Sequence, residues 1–117
     1  AILKAEKVIS EEPMNGEVTT LSEQLELLFG VMATLDTPEK VKRFLTDVCT
    51  DTEIEYMAQR VESARLLLSG ATYQQVSGAV KISSATLSRV NRCIKHGSGG
   101  YAGLLAEYLA EEREKNS

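Results

Sequence analysis

Residues 73–92 read YQQVSGAVKISSATLSRVNR, and the spacing of the apolar positions within this stretch decides the fold. Val76, Val80, Ile82, Leu87 and Val90 fall at the five places where two short helices joined by a tight turn bury apolar side chains. The turn falls at Val80-Lys81-Ile82, and small Ser77 stands where the two helices are expected to approach most closely. The second helix then turns Ser83, Ser84, Ala85, Ser88, Arg89 and Arg92 outward. A small, polar and basic face of this kind fits a DNA major groove, so the stretch reads as a helix-turn-helix. Lys81 takes the turn position usually given to Gly. A left-handed backbone there would cost a residue with a Cβ roughly 1–2 kcal/mol.

The flanks carry matching start and stop signals. Thr72 followed by Gln75 forms a capping box for the first helix, and Ser83 caps the second. Gly97 ends that helix after Lys95 and His96, whose positive charge suits a helix C-terminus. The pair therefore occupies residues 72–96.

The net charge of −4 conceals an asymmetry that favours the same reading. Residues 1–58 carry five Lys/Arg against twelve Asp/Glu, whereas residues 59–95 carry six basic residues against Glu62 alone. A basic segment in an acidic chain focuses phosphate contact locally and limits unspecific adhesion. With 117 residues, 43% apolar content and no Trp, the core is expected to consist of Leu, Val, Met and Ala. No apolar run approaches the roughly 18 residues of a membrane span, and no signal segment is evident, so the cytoplasm is the expected compartment. The two cysteines, Cys49 and Cys93, stand apart without a Cys or His at metal-ligand spacing, and they read as reduced structural residues.

Upstream, residues 1–18 show no sustained periodicity and contain Pro13 and Gly16, so they read as a flexible lead-in, with Met14 a candidate natural start. From Leu21 the apolar residues Leu21, Leu25, Leu28, Met32 and Leu35 alternate four and three apart, one stripe along a helix capped by Thr19 or Thr20. Thr37-Pro38 restarts a helix burying Val41, Phe44, Leu45 and Val48. Thr50 caps the next, which buries Ile54, Met57, Ala58, Val61, Ala64 and Leu68 before Ser69-Gly70. After residues 97–100, Tyr101, Leu104, Leu105, Tyr108 and Leu109 form the apolar face of a last helix. Six helices and no strand make an all-α fold: a lead-in at 1–18, a helical domain at 19–112 and a frayed tail at 113–117.

Catalysis finds no support. His96 precedes the loop Gly97-Ser98-Gly99-Gly100, which superficially matches an esterase oxyanion loop, but no nucleophile elbow or second base accompanies it. The loose dinucleotide pattern running from Gly97 to Ala102 follows a helix rather than a strand, which removes its meaning. No enzyme, cofactor or metal is expected.

The run Gln59-Arg60-Val61 through Leu66-Leu67-Leu68, then Gly70, Thr72 and Ser84-Ala85-Thr86-Leu87-Ser88-Arg89, resembles the Trp repressor superfamily. The resemblance is strongest to the small Trp repressor-like proteins of the YerC/YecD type, and it spans about Leu21 to Leu109. It implies an all-helical, intertwined homodimer whose N-terminal helices interlock and whose two helix-turn-helix heads sit about one DNA turn apart. It also implies a candidate effector pocket. Two arginines sandwich the indole in the Trp repressor, and Arg60 and Arg89 stand at the matching positions. However, Val90 replaces a family Gly and Cys93 replaces a Ser that helps hold the ligand's amino group. Tryptophan is therefore not the expected effector. The two arginines could instead contact phosphate, pair with Glu62 and its neighbours, or hold another small molecule.

The expected function is that of a sequence-specific DNA-binding transcriptional regulator, in first reading a repressor. Gln74, Lys81, Arg89, Arg92 and Lys95 would hold phosphates, helped by backbone N–H groups at the helix starts near Thr72 and Ser83. Ser84, Ala85 and Ser88 would read bases, with Ser83 a further candidate and Thr86 turned inward. The competing reading is a protein-interaction module that docks an acidic partner on the same face.

Overall fold

Five helix starts among the described residues fall on a hydroxyl side chain, and that chemistry sets the element boundaries. A computed structural model describes residues 17–116. The first helix, α1, spans Leu21–Met32; at its start the Glu23 N–H donates to Thr20 Oγ1 at 3.1 Å and the Glu23 carboxylate reaches back to Thr20. Helix α2 spans Pro38–Val48, with the Lys40 N–H donating to Thr37 Oγ1 at 3.2 Å. Helix α3 spans Asp51–Leu68 under a reciprocal box in which Thr50 N–H donates to Glu53 Oε1 at 2.8 Å. That backbone bond, with the Thr50 hydroxyl, holds the Glu53 carboxyl below its ordinary range. Helix α4 spans Tyr73–Ala79 under the Thr72–Gln75 box, and α5 spans Ser84–His96 under Ser83. Each such cap satisfies backbone donors that a helix start otherwise leaves without partners.

The last helix begins differently. Gly100–Leu105 forms a π-helical segment that leads into α6, Ala106–Lys115, with no side-chain cap at either start. The Gly99 carbonyl accepts from both Gly103 N–H, at 2.9 Å, and Leu104 N–H, at 3.0 Å. The wider turn rotates each residue less about the axis, which splits the expected apolar face. Tyr101, Leu105 and Leu109 are half-buried, whereas Leu104 is 70% and Tyr108 58% exposed. Helix α6 runs through Lys115.

Six α-helices and no strand occur among the described residues, as expected of an all-α chain. None of these helices is long and apolar enough to cross a membrane. The reading of residues 1–16 as a lead-in, and of Met14 as a start, lies outside the described residues.

The chain divides into two compact units, one up to Arg43 and one from Phe44 onward. In the first, α1 contains no buried residue. It stops at Met32, so Leu35 lies beyond it in a turn where Thr34 donates its N–H and its hydroxyl to the Val31 carbonyl, at 3.0 and 2.7 Å. The chain has to leave helical geometry before Pro38, which disfavours it in the preceding residue.

In the second unit α3 packs against α4, α5 and the π-helical segment. The fully buried residues are Ser63 and Ala64 of α3, Val76 of α4, and Leu87 and Val90 of α5. Small residues at 63 and 64 let α5 come close to α3. Ser77 of α4 is exposed, so the close approach expected there falls on α3 instead. Val61, expected in the core, is 46% exposed. Gly70, at φ +96°, ends α3 in a left-handed conformation that side chains rarely adopt. Gly97 ends α5 so close to the Cys93 carbonyl that a Cβ there would collide with it.

Candidate nucleic-acid interface

The turn between α4 and α5 is built without a left-handed residue. Val80 is extended, at φ −128° and ψ 138°, and no residue other than glycine has a positive φ among the described residues. Lys81 therefore sits unstrained at the position where glycine was the expectation, and its predicted penalty does not arise. Of the five apolar places, Val76, Leu87 and Val90 are fully buried and Val80 and Ile82 half-buried. This burial fixes which side of α5 faces outward.

That outward side carries Ser84, Ala85, Ser88, Arg89, Arg92 and Lys95, all exposed. Gln74 of α4, Lys81 of the turn and Ser83 are exposed as well. Thr86 is half-buried, as the periodicity implies. The Ser83 hydroxyl is committed locally. It accepts the Thr86 N–H at 3.1 Å and donates to Thr86 Oγ1 at 2.9 Å, so the free hydroxyls on this face are those of Ser84 and Ser88.

The charge on this side is unopposed. Among the described residues no carboxylate pairs with Lys81, Arg89, Arg92 or Lys95. Glu62, the lone acid of the basic segment, is engaged by Arg65 through two bonds of 2.6 and 2.9 Å. Those bonds hold the Glu62 carboxyl below its ordinary range. Pairing of Glu62 with Arg60 or Arg89, considered from the sequence, is thus not what the fold builds.

Of the two arginines matched to an indole sandwich, Arg60 stands on α3 and Arg89 is exposed on α5. Arg60 is half-buried and lines a cleft of about 700 Å³ with Thr52, Glu55, Tyr56, Gln59, Lys81, Ile82, Ser83 and Thr86, whereas Arg89 does not line it. Val90 is 1% exposed and belongs to the core. Cys93 is half-buried in a separate groove of about 420 Å³ with Val61, Gly97, Tyr101 and Leu105. Sequence reasoning missed the larger cleft. Its signal was present, because Thr52, Glu55, Tyr56, Gln59 and Arg60 recur at helical spacing and make one polar face of α3.

A helix-turn-helix carried on an all-helical unit, with a capped and cationic second helix, defines the class. Residues 23–109 match the Trp repressor protein family, and the chain belongs to that family. Among its relatives, the uncharacterized protein YerC of Bacillus subtilis (strain 168) is 38% identical over 94 residues, covering 80% of this chain and 90% of that protein. A TrpR-like protein from Eubacterium eligens ATCC 27750 superposes with a TM-score of 0.69 at 34% identity, over 74% of this chain and 89% of its own. A candidate Trp repressor from Staphylococcus aureus superposes with a TM-score of 0.68 at 30% identity, over 77% of this chain and 95% of its own.

Proposed function

We propose that this protein is a sequence-specific DNA-binding transcriptional regulator, a repressor acting in the cytoplasm as a homodimer and without tryptophan. One observation carries the reading: α5 exposes Arg89, Arg92 and Lys95 beside Ser84, Ala85 and Ser88, and no carboxylate neutralises the cations among the described residues. Unpaired cations beside small polar side chains suit a duplex, because phosphates hold the helix in place while short side chains reach base edges. Serine hydroxyls both donate and accept, so base discrimination rests partly on DNA shape and bridging water. Membership of the Trp repressor family supports the same reading.

The homodimer is supported by α1, which presents Leu21, Leu25, Leu28, Phe29 and Met32 at 36–69% exposure. A helix this apolar needs a protein surface to cover it. Independence from tryptophan is supported by Val90, whose side chain fills core space where the family has a glycine.

A gel shift with genomic fragments at two salt concentrations tests the proposal. The unaltered protein should retard DNA, more weakly at high salt, and Arg92→Ala should lower the slope of log affinity against log salt by about one unit. Equal binding by parent and variant at every salt concentration would remove α5 from the interface. Retardation unaffected by added tryptophan completes the expectation. If no fragment shifts, the alternative stands, in which this face docks an acidic protein.

A further inference from the structure

Tyr101, Leu104, Leu105, Tyr108 and Leu109 are spaced as one face of an α-helix, yet the fold does not use them as one. Across the π-helical segment Gly100–Leu105 the turn is wide. Tyr101, Leu105 and Leu109 are half-buried, whereas Leu104 and Tyr108 stay mostly in water. A sequence patterned for one geometry and folded in another is a conflict between levels, and such conflicts gather at functional sites. Single π turns within helices gather there too.

The hydrogen bonds show how near the α geometry lies. The Gly99 carbonyl accepts the Gly103 N–H at 2.9 Å, an α-type bond, and the Leu104 N–H at 3.0 Å, a π-type bond. At the far end the Ala106 N–H is also shared, between the carbonyls of Tyr101 and Gly103. Rewinding to α geometry keeps the Gly103 bond and moves the Leu104 N–H one residue along, to the Gly100 carbonyl. The surplus residue passes into the linker that starts at Gly97. Gly99 already stands there at φ +93°, and nothing beyond the adjoining chain lies within 4 Å of where a Cβ on Gly99 or Gly100 would be. Glycines in open space absorb such a change without a steric penalty.

What selects between the two registers is cover. The α turn brings Leu104 and Tyr108 beside Tyr101, Leu105 and Leu109, a wider apolar face that gains only when a nonpolar surface meets it. The chain itself carries such a surface: α1 exposes Leu21, Leu25, Leu28 and Met32 in a stripe of four-three spacing, so a second copy brings a helix patterned to pack. We propose that Gly100–Leu105 is a register switch, wide in the single chain and rewound to α geometry when a second copy covers α6. The inference rests on the homodimer reading. Tyr101 and Leu105 line a groove of about 420 Å³ with Val61 of α3 and Cys93 of α5, so rewinding is felt at the end of α5 that carries Arg92 and Lys95. Assembly and the DNA-facing helix are thereby coupled through one turn.

NMR of the full chain tests the switch, because couplings through hydrogen bonds identify the carbonyl that each amide reaches. The parent at high concentration supplies the dimer, and the Leu25→Glu, Leu28→Glu double variant or the diluted parent supplies the monomer, with sedimentation velocity run on the same samples. The Leu104 N–H should couple to the Gly99 carbonyl in the monomer and to the Gly100 carbonyl in the dimer, with amide shifts in residues 93–97 following. Deleting Gly100 removes the surplus residue and commits the segment to the α turn. The dimer Kd should then fall about tenfold, the factor expected if the α register is about one-tenth populated in the single chain. Leu104 is exposed, so Leu104→Gln remains informative if the deletion variant does not fold; it should raise the dimer Kd about tenfold. A dimer in which Leu104 keeps its Gly99 bond, or a Kd unchanged in Leu104→Gln, would overturn the switch alone. A parent that sediments as a monomer at every concentration overturns the homodimer reading and the switch together.

Discussion

Helices α1 and α5 are nearly equal in length, 12 and 13 residues, yet they expose opposite chemistry. Helix α1 buries nothing and leaves Leu21 69%, Leu27 64% and Phe29 61% exposed. Helix α5 buries Leu87 and Val90 to 1% and exposes serines and arginines. The difference is one of unmet demand. Apolar area left in water forfeits about 25 cal/mol per Å², a loss that only another nonpolar surface removes. Exposed arginines lose nothing in water and gain only when an anion arrives. The two helices thus leave different demands unmet, apolar cover for α1 and counter-charge for α5.

The largest expected effect breaks the first half of that contrast. Leu25→Glu with Leu28→Glu places two charges in the α1 stripe, and sedimentation velocity at micromolar concentration should change from dimer to monomer. A parent protein that already sediments as a monomer would show that α1 does not need a second copy. Next in size is Leu87→Ala, which empties a fully buried site beneath the α5 face. Urea unfolding should show a loss of about 2–5 kcal/mol, typical of such core truncations. A loss under 1 kcal/mol would mean that the head is not anchored by its buried side.

Two smaller changes sharpen the comparison. Thr72→Ala removes the hydroxyl that accepts the Gln75 N–H at 3.1 Å, and should destabilise α4 by about 1 kcal/mol. Amide hydrogen exchange should report that loss in residues 73–79 and leave α1 unchanged. Ser63→Ala should be neutral or stabilising by about 1 kcal/mol or less, because Ser63 Oγ is buried with no hydrogen-bond partner among the described residues. A marked destabilisation in thermal melts would reveal a role for that hydroxyl.

The five capped helix starts were legible because capping is local: a hydroxyl meets an N–H three residues on, whatever lies elsewhere in the chain. The reach of α1 to Leu35 and the apolar face of the last helix were misjudged, both where the chain departs from α geometry. The turn closed by Thr34 on the Val31 carbonyl ends α1 before Leu35, and the Gly99–Leu104 bond widens the turn before α6. Lys81's ordinary backbone does not follow from composition, since it depends on how the turn is built, whereas Arg65's claim on Glu62 is an i,i+3 contact within α3 that helical spacing already offers.

By itself, then, the order of residues determined the helix count, the caps, the helix-turn-helix register and the outward cationic face of α5. These follow from periodicity and from contacts within a few positions. Only the tertiary structure decided that Val90 is core and that a polar face of α3 meets the turn across an open cleft. Those outcomes depend on how α3 and α5 approach one another, and residues some thirty positions apart carry no local signal of that geometry.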